Sequence, residues 1–433
     1  MDNYYLKNFK VVFENYISNV DLFIENGKIS FNPALNLSTY KQINGNNQLF
    51  ILPAGIDVHT HFSLNLGEGR VSCEDFNTGA QSALKGGVTT VFDFAYQEYE
   101  DETLFEAYKR RKEEINNSQL NIYLHSGIIN LDDDIEEQIY EMADAGVFTF
   151  KIHMNSPKVN DLFLYRTFKA IKNINGIALL HCEAGEIIEY LKAQFHNQSK
   201  RSVIYHPLSR PDYLESYAIL KAIEIASFFD TNIYIVHLTT EKGLNIIRRN
   251  KNNLSFLECE TCPQYLLLTE EKYKEKNGYY YTCCPPFRKQ QDIEALWKGL
   301  RDETIKIVST DHCPFTAEQK EKFSDSFINY VYGLAGIETA YPIILSEGIK
   351  RGCSINQIIK WYSTNPAKLF KLYPQKGIIN EGSDADLIIY DPEIEWNIDF
   401  NQLNTNLNYN QFQGLKIKGK ITKTFSNGKM FEF

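Results

Sequence analysis

Along most of the chain, short apolar runs alternate with longer stretches whose apolar residues recur every three or four positions, so strands and helices are predicted in turn. Eight runs read as buried strands, at 50–61, 88–94, 122–127, 148–152, 178–181, 233–237, 254–260 and 305–309. Between them, 75–85, 103–116, 161–174, 213–229 and 291–301 have helical character. Strands that alternate with helices pair in parallel through right-handed crossovers, and eight such units close on themselves. The predicted fold is therefore α/β, a (β/α)8 TIM-type barrel.

The two ends of the chain follow a different rhythm. Segments 4–13 and 21–31 are rich in β-formers, and Asn26-Gly27 supplies the pair of positive φ angles that a two-residue hairpin needs. After the eighth strand the pattern continues as helix over 333–372, then 382–390 reads as a turn feeding a strand. The last stretch alternates and carries a second hairpin signal at Asn427-Gly428. Isolated hairpins are marginal on their own, so the ends are expected to meet as one small β-sandwich domain, 1–50 plus 376–433, beside a barrel of 51–375.

Composition narrows the function. A net charge of −10 with no basic stripe argues against a nucleic-acid partner. No apolar run approaches the ~20 residues of a membrane span, and the N-terminus lacks the basic start and apolar core of a signal peptide. Eight cysteines without a secretion signal read as reduced thiols, so a cytoplasmic location is expected.

Chemistry gathers at the predicted strand ends, which in such a barrel share one face. The first strand closes on His59-Thr60-His61, with Asp57 before it; alternation puts all three side chains on one face. Alone, this pair also fits a strand with two satisfied histidines. That reading weakens with Lys151 on the fourth strand, His181 on the fifth, His237 on the sixth and Asp311 just past the eighth. Four imidazoles, a carboxylate and a lysine exceed what one tetrahedral zinc needs, so a two-metal site follows. An ammonium offers no lone pair to a cation. Buried beside positive charge, Lys151 would lose its proton and could take up carbon dioxide as a bridging carbamate.

These residues sit in longer motifs: Gly55-Ile56-Asp57-Val58-His59-Thr60-His61, Gly86-Gly87-Val88-Thr89-Thr90, Phe150-Lys151, His181-Cys182-Glu183, Val236-His237, Glu260-Thr261-Cys262-Pro263-Gln264-Tyr265, Pro285-Pro286-Phe287-Arg288 and Thr310-Asp311-His312-Cys313-Pro314-Phe315. In combination and order they resemble the amidohydrolase superfamily, and within it the cyclic amidohydrolases of the hydantoinase and dihydropyrimidinase type. The resemblance implies two divalent metals, most simply zinc, held by His59, His61, carbamylated Lys151, His181, His237 and Asp311. It also implies ring opening of a small cyclic amide or imide by a metal-bridged hydroxide, with Asp311 as general base and then acid. Relatives are often oligomers, so a homodimer or homotetramer is expected.

The departures bear on the substrate. Hydantoinases usually carry an oxyanion-stabilising tyrosine five residues after the modified lysine; here Ser156 stands there. Cys284 replaces a serine and Tyr332 an asparagine at positions that bind substrate in those relatives, and Tyr332 is a candidate hydroxyl donor. His153, two beyond Lys151, shares its face and either reaches the pocket or packs in the wall. A dihydroorotase-like activity is disfavoured because Ser63 stands where that enzyme places a carboxylate-binding arginine. An allantoinase-like activity stays open, as does a non-catalytic scaffold like the dihydropyrimidinase-related proteins. The Cys259-x2-Cys262 pair lacks a matching second pair, so buried thiols are expected there. His312 is expected to support Asp311 from behind, while His125, His196 and His206 read as structural or solvent-exposed.

Overall fold

The computed structural model describes residues 2–115, 118–405 and 407–433. Eight parallel strands form one sheet in strict chain order: Gly55–Thr60, Val88–Tyr96, Asn121–Ile128, Thr149–His153, Ile177–His181, Asn232–Ile235, Leu257–Thr261 and Ile307–Val308. Its edges meet where Thr60 bridges His312 and the His61 N–H donates to the His312 carbonyl at 2.8 Å, which closes the barrel. Inside, alternate residues stack in layers. Phe92, Leu179, Tyr234 and Ile307 form an apolar plug with Phe370 against it, so the residue two positions on, such as Phe94 or His181, lies nearer the mouth.

The apolar run 50–61 proves to be two strands. Phe50–Pro53 pairs with Tyr4–Val12 and Leu387–Asn397 in the terminal sheet, whereas Gly55–Thr60 belongs to the barrel. The change of partner falls at Ala54: its N–H goes to the Asp386 carbonyl, and the next, from Gly55, goes to Gly87 in the barrel. Gly55 has no alternative there, because a Cβ would lie 2.7 Å from the Tyr362 ring.

Both chain ends join that terminal sheet, as expected. Hydrogen bonding runs without interruption through Lys429–Glu432, Lys416–Ser426, Leu387–Asn397, Phe50–Pro53, Tyr4–Val12, Ile17–Glu25 and Lys28–Ser30, with Lys41–Asn44 also on Tyr4–Val12. The sheet curls over a separate core of Leu6, Phe9, Leu22, Ile24, Leu387 and Phe425. Both hairpin signals are realised: Asn26 and Gly27 have φ of 50° and 79°, Asn427 and Gly428 48° and 79°.

The helix expected over 333–372 is broken. It begins only at Ala340–Lys350, stops before Gly352 (φ 81°), and restarts at Ile355–Ile359 behind a capping box of Ser354 and Gln357. The predicted 75–85 helix starts late, at Thr78, because the Asp75 carboxylate accepts the N–H groups of Asn77 and Thr78 in a turn. The predicted 103–116 helix is Leu104–Glu114; Asn116 lies outside the described residues.

Candidate active site

Three groups from opposite edges of the barrel seam meet at its mouth. His59 Nε2 and His61 Nε2 lie 3.2 and 3.0 Å from Asp311 Oδ1, and one ligand atom of each residue falls within 4.8 Å of the others. Lys151 Nζ is 3.3 Å from His59 Nε2. The His237 ring is centred 5.4 Å from that of His59 and 4.6 Å from that of His181. All six residues predicted as ligands therefore line one cavity of about 720 Å³.

Buried carboxylates orient the imidazoles. Glu260, at the end of the seventh strand, lies 2.5 Å from His59 Nδ1 through Oε1, which leaves Nε2 turned toward Asp311. Glu260 also accepts the Tyr234 hydroxyl (2.7 Å) and the His237 N–H (3.2 Å). His181 Nε2 faces Glu183 at 2.7 Å, and Glu183 is paired with Arg210 at 2.5 Å. Such outer carboxylates fix ring orientation and raise ligand basicity. In the sequence Glu183 and Glu260 stand out only as members of their motifs. Their one visible signal was a charged residue closing an apolar run.

Two candidate ligands sit on strained backbone: His237 has φ of 38° and Asp311 of 53°. Both lie past the ends of short strands, where a left-handed residue turns its side chain into the mouth. Asp57 sits beneath. Fully buried, its carboxylate accepts the N–H groups of His59 and Thr310 (both 3.2 Å) and the Tyr362 hydroxyl (3.3 Å), so it ties the first strand to the eighth.

Burial sets the protonation states. It drives the pKa values of His59, His181 and His237 below the usual imidazole range, leaving neutral nitrogen donors. It also lowers Lys151 to about 8, against the pull of Asp311 and Glu260. With Glu260 holding the His59 Nδ1 proton, His59 Nε2 and Asp311 Oδ1 present lone pairs to each other at 3.2 Å. His61 Nδ1 is buried without a hydrogen-bond partner. Neutral imidazoles and a carboxylate oxygen converging in this way fit divalent cations.

The four residues predicted to touch substrate also line the cavity. His153 reaches the pocket, with Nε2 3.2 Å from the Tyr96 hydroxyl. Ser156 lies in a tight loop, its N–H on the His153 carbonyl at 3.0 Å. Cys284 carries a thiol that burial raises to about 11. Tyr332 is a correction in part: its hydroxyl donates to the Phe327 carbonyl at 2.6 Å and its ring stacks on His206, so the hydroxyl is already committed.

An Asp93–Arg111 pair that the sequence reading missed fastens the first strand. Asp93 Oδ2 accepts the Thr60 hydroxyl (2.9 Å) and the Phe62 N–H (2.8 Å), flanking His61, while Oδ1 accepts Arg111 at 2.6 Å. The signal was a lone aspartate inside the apolar run of the second strand. His312 faces away from Asp311, bound to Glu74 at 2.7 Å and to the Gly336 N–H at 3.0 Å. His125 is bound to the Thr149 hydroxyl and the Val58 carbonyl, and His206 Nε2 to the Cys283 carbonyl, away from the metal cluster. Cys259 and Cys262 are buried free thiols.

Comparison with known proteins agrees with this geometry. A sequence profile described as the amidohydrolase family matches residues 50–431. A D-phenylhydantoinase of Escherichia coli O9:H4 (strain HS) is 32% identical over 439 residues, covering 98% of this chain and 93% of the relative. One from Escherichia coli O1:K1 is 33% identical over 390 residues, with 88% and 83% covered. Among solved structures, a D-hydantoinase superposes with a TM-score of 0.94 at 31% identity, covering 99% of this chain and 95% of its own. A dihydropyrimidinase from Brevibacillus agri gives 0.93 at 29% identity, with 99% and 94% covered.

Proposed function

This chain belongs to the amidohydrolase family and is a metal-dependent hydrolase of cyclic amides; on that premise we propose that His59, His61, Lys151, His181, His237 and Asp311 hold two divalent ions, zinc by preference, with Lys151 as its carbamate. The convergence of His59, His61 and Asp311 on one point at the barrel mouth carries the reading. A lysine amine brought down to about 8 is available to carbon dioxide near neutral pH. When bound, the metals would activate a water molecule and polarise the scissile carbonyl.

The chain's own groups do the rest. Asp311, the most open of the cluster with 15% of its side chain exposed, accepts the proton of the attacking water. It then delivers that proton to the ring nitrogen as the C–N bond breaks. The product is a carbamoyl amino acid or ureido acid.

The substrate is a neutral ring of the hydantoin or dihydropyrimidine type. Every arginine lining the cavity is already paired: Arg110 with Glu98, Glu102 and Glu114, Arg111 with Asp93, and Arg210 with Glu183. Each of these arginines already has a carboxylate partner, which disfavours dihydroorotate, whose own carboxylate would need a free cation. We also propose that the seam between the barrel and the terminal β domain, expected after residue 50, lies at Ala54, where successive N–H groups change sheets.

An apolar stripe supports a homo-oligomer. Tyr213, Tyr217 and Leu220 of Asp212–Ser227 are exposed, continuous with Phe228 and with Tyr165 (ring centroids 6.0 Å apart). Free cysteines among the described residues support a reducing, cytoplasmic setting, and no helix is long and apolar enough to cross a membrane.

The test is a panel of hydantoin, 5-substituted hydantoins, dihydrouracil, allantoin and dihydroorotate, run before and after chelation. Turnover of the first three, lost with a chelator and regained with zinc and bicarbonate, is expected. Protein with under one equivalent of zinc that gains no activity on reconstitution would overturn the metal assignment.

A further inference from the structure

The second barrel strand, Val88–Tyr96, ends with a tyrosine that none of the roles above uses. Its ring is fixed on three sides. It stacks on Phe94 (5.4 Å, 17°) and on His61 (6.0 Å, 13°), in a column that also pairs Phe94 with His61 (4.9 Å, 19°). It lies across Gly127, its register partner on the third strand, where a Cβ would fall 2.2 Å from the ring. The glycine leaves the space that the ring fills. The hydroxyl meets His153 Nε2 at 3.2 Å, beside the metal-site histidines, and Tyr96 and His153 both line the cavity.

The other tyrosine hydroxyls near this mouth are committed or distant. Tyr332 gives its proton to Phe327, Tyr265 gives its own to the Pro285 carbonyl at 2.8 Å, and Tyr99 is 65% exposed on the rim. The position of the usual oxyanion donor is Ser156, whose loop packs tightly against Gly185.

We propose that Tyr96 is the oxyanion donor of this enzyme, held in place by His153. The proposal rests on the ring-opening reading above. As hydroxide adds to the carbonyl carbon, the C=O π pair moves onto oxygen. With the imidazole proton on Nε2, His153 donates to the Tyr96 oxygen, and the phenol proton is free to donate to the new oxyanion. No proton changes owner in this contact. The adduct then collapses by breaking the C–N bond, and the nitrogen is protonated by Asp311. Held by its stack on Phe94 and His61 and by His153, the phenol is oriented before charge develops on the substrate oxygen.

The test compares Tyr96→Phe with the wild-type metal-loaded enzyme. Loss of one such donor should lower kcat by about 10²–10³-fold, with KM, zinc content and melting temperature close to wild type. The discriminating readout uses a substrate whose scissile carbonyl oxygen is replaced by sulfur, a weaker hydrogen-bond acceptor. The preference for oxygen over sulfur should shrink in Tyr96→Phe; a merely structural role would leave that ratio unmoved. His153→Leu should cost roughly tenfold in kcat, and His153→Gln, which keeps an N–H donor, should restore most of it. These two variants carry the test if Tyr96→Phe does not fold. An active wild type whose Tyr96→Phe variant keeps kcat within threefold and an unchanged oxygen-to-sulfur ratio overturns the proposal alone. A wild type inactive on every ring overturns the functional reading instead.

Discussion

Replacing Asp93 by asparagine tests whether the metal-binding strand is held from behind. Each Asp93 oxygen serves two donors: Oδ2 takes Thr60 and Phe62, Oδ1 takes Arg111 and the Phe94 N–H. An amide has one acceptor oxygen, so one pair would face an NH2 group instead. The Arg111 guanidinium, about 5% exposed, would then keep only Glu114 and the Phe62 carbonyl. Breaking a buried ion pair from one side costs about 3–5 kcal/mol. At the usual unfolding entropy per residue, that is a fall of about 3–6 °C in Tm for a chain of this length. Because Thr60 and Phe62 flank His61, zinc affinity should also drop, by about 10–100-fold as for other lost outer partners. Calorimetry on Asp93→Asn, Arg111→Met and the double variant checks the stability, and a competing chelator checks the zinc. The double variant should cost less than the two singles together, since it removes both charges. A single variant with Tm within 1 °C and unchanged zinc affinity would refute the reasoning.

Three further outcomes follow from the same geometry. Lys151→Ala should abolish turnover, with partial recovery when a short carboxylic acid is supplied to bridge the metals; an active variant without the acid would remove the carbamate from the account. Burial would raise the Glu183 pKa, but Arg210 and the hydrogen bond to His181 hold it at about 2, below the ordinary 4.5. Its folded value is thus depressed, and the stability of about 3 kcal/mol that it contributes is present above pH 4.5 and lost as pH falls toward 2. Urea unfolding of metal-free protein at pH 5 and pH 3 should therefore show a smaller pH effect in Glu183→Gln than in the wild type; equal effects would sink this assignment. Tyr332→Phe should lose about 1 kcal/mol of stability with the Phe327 hydrogen bond, yet leave kcat and KM within twofold, and a tenfold rise in KM would show that the hydroxyl reaches substrate after all.

The local pattern of the chain determined a good deal. Period-two apolar runs broken by amphipathic stretches specify alternating strands and helices, and chain connectivity then allows few arrangements besides a barrel. Each candidate ligand was legible for the same reason, as a histidine, lysine or aspartate at the end of an apolar run, and hairpin pairs such as Asn26-Gly27 are signals contained in two residues. What the tertiary structure decided depends on which strands become neighbours. The run 50–61 carries nothing that marks Ala54 as the point where one sheet hands the chain to another; partners from Gly87 and Asp386 make that choice. Glu260 orients His59 from 201 positions away, and Asp93 clasps Thr60 and Phe62 from another strand. The Tyr332 hydroxyl looked available until folding put the Phe327 carbonyl beside it. Tyr96 gave no sign in sequence, because its meaning lies in the gap left by Gly127 and in His153 across the mouth. Ligand identity is a property of single positions, whereas orientation and hydrogen bonding are properties of pairs that only the closed barrel brings together.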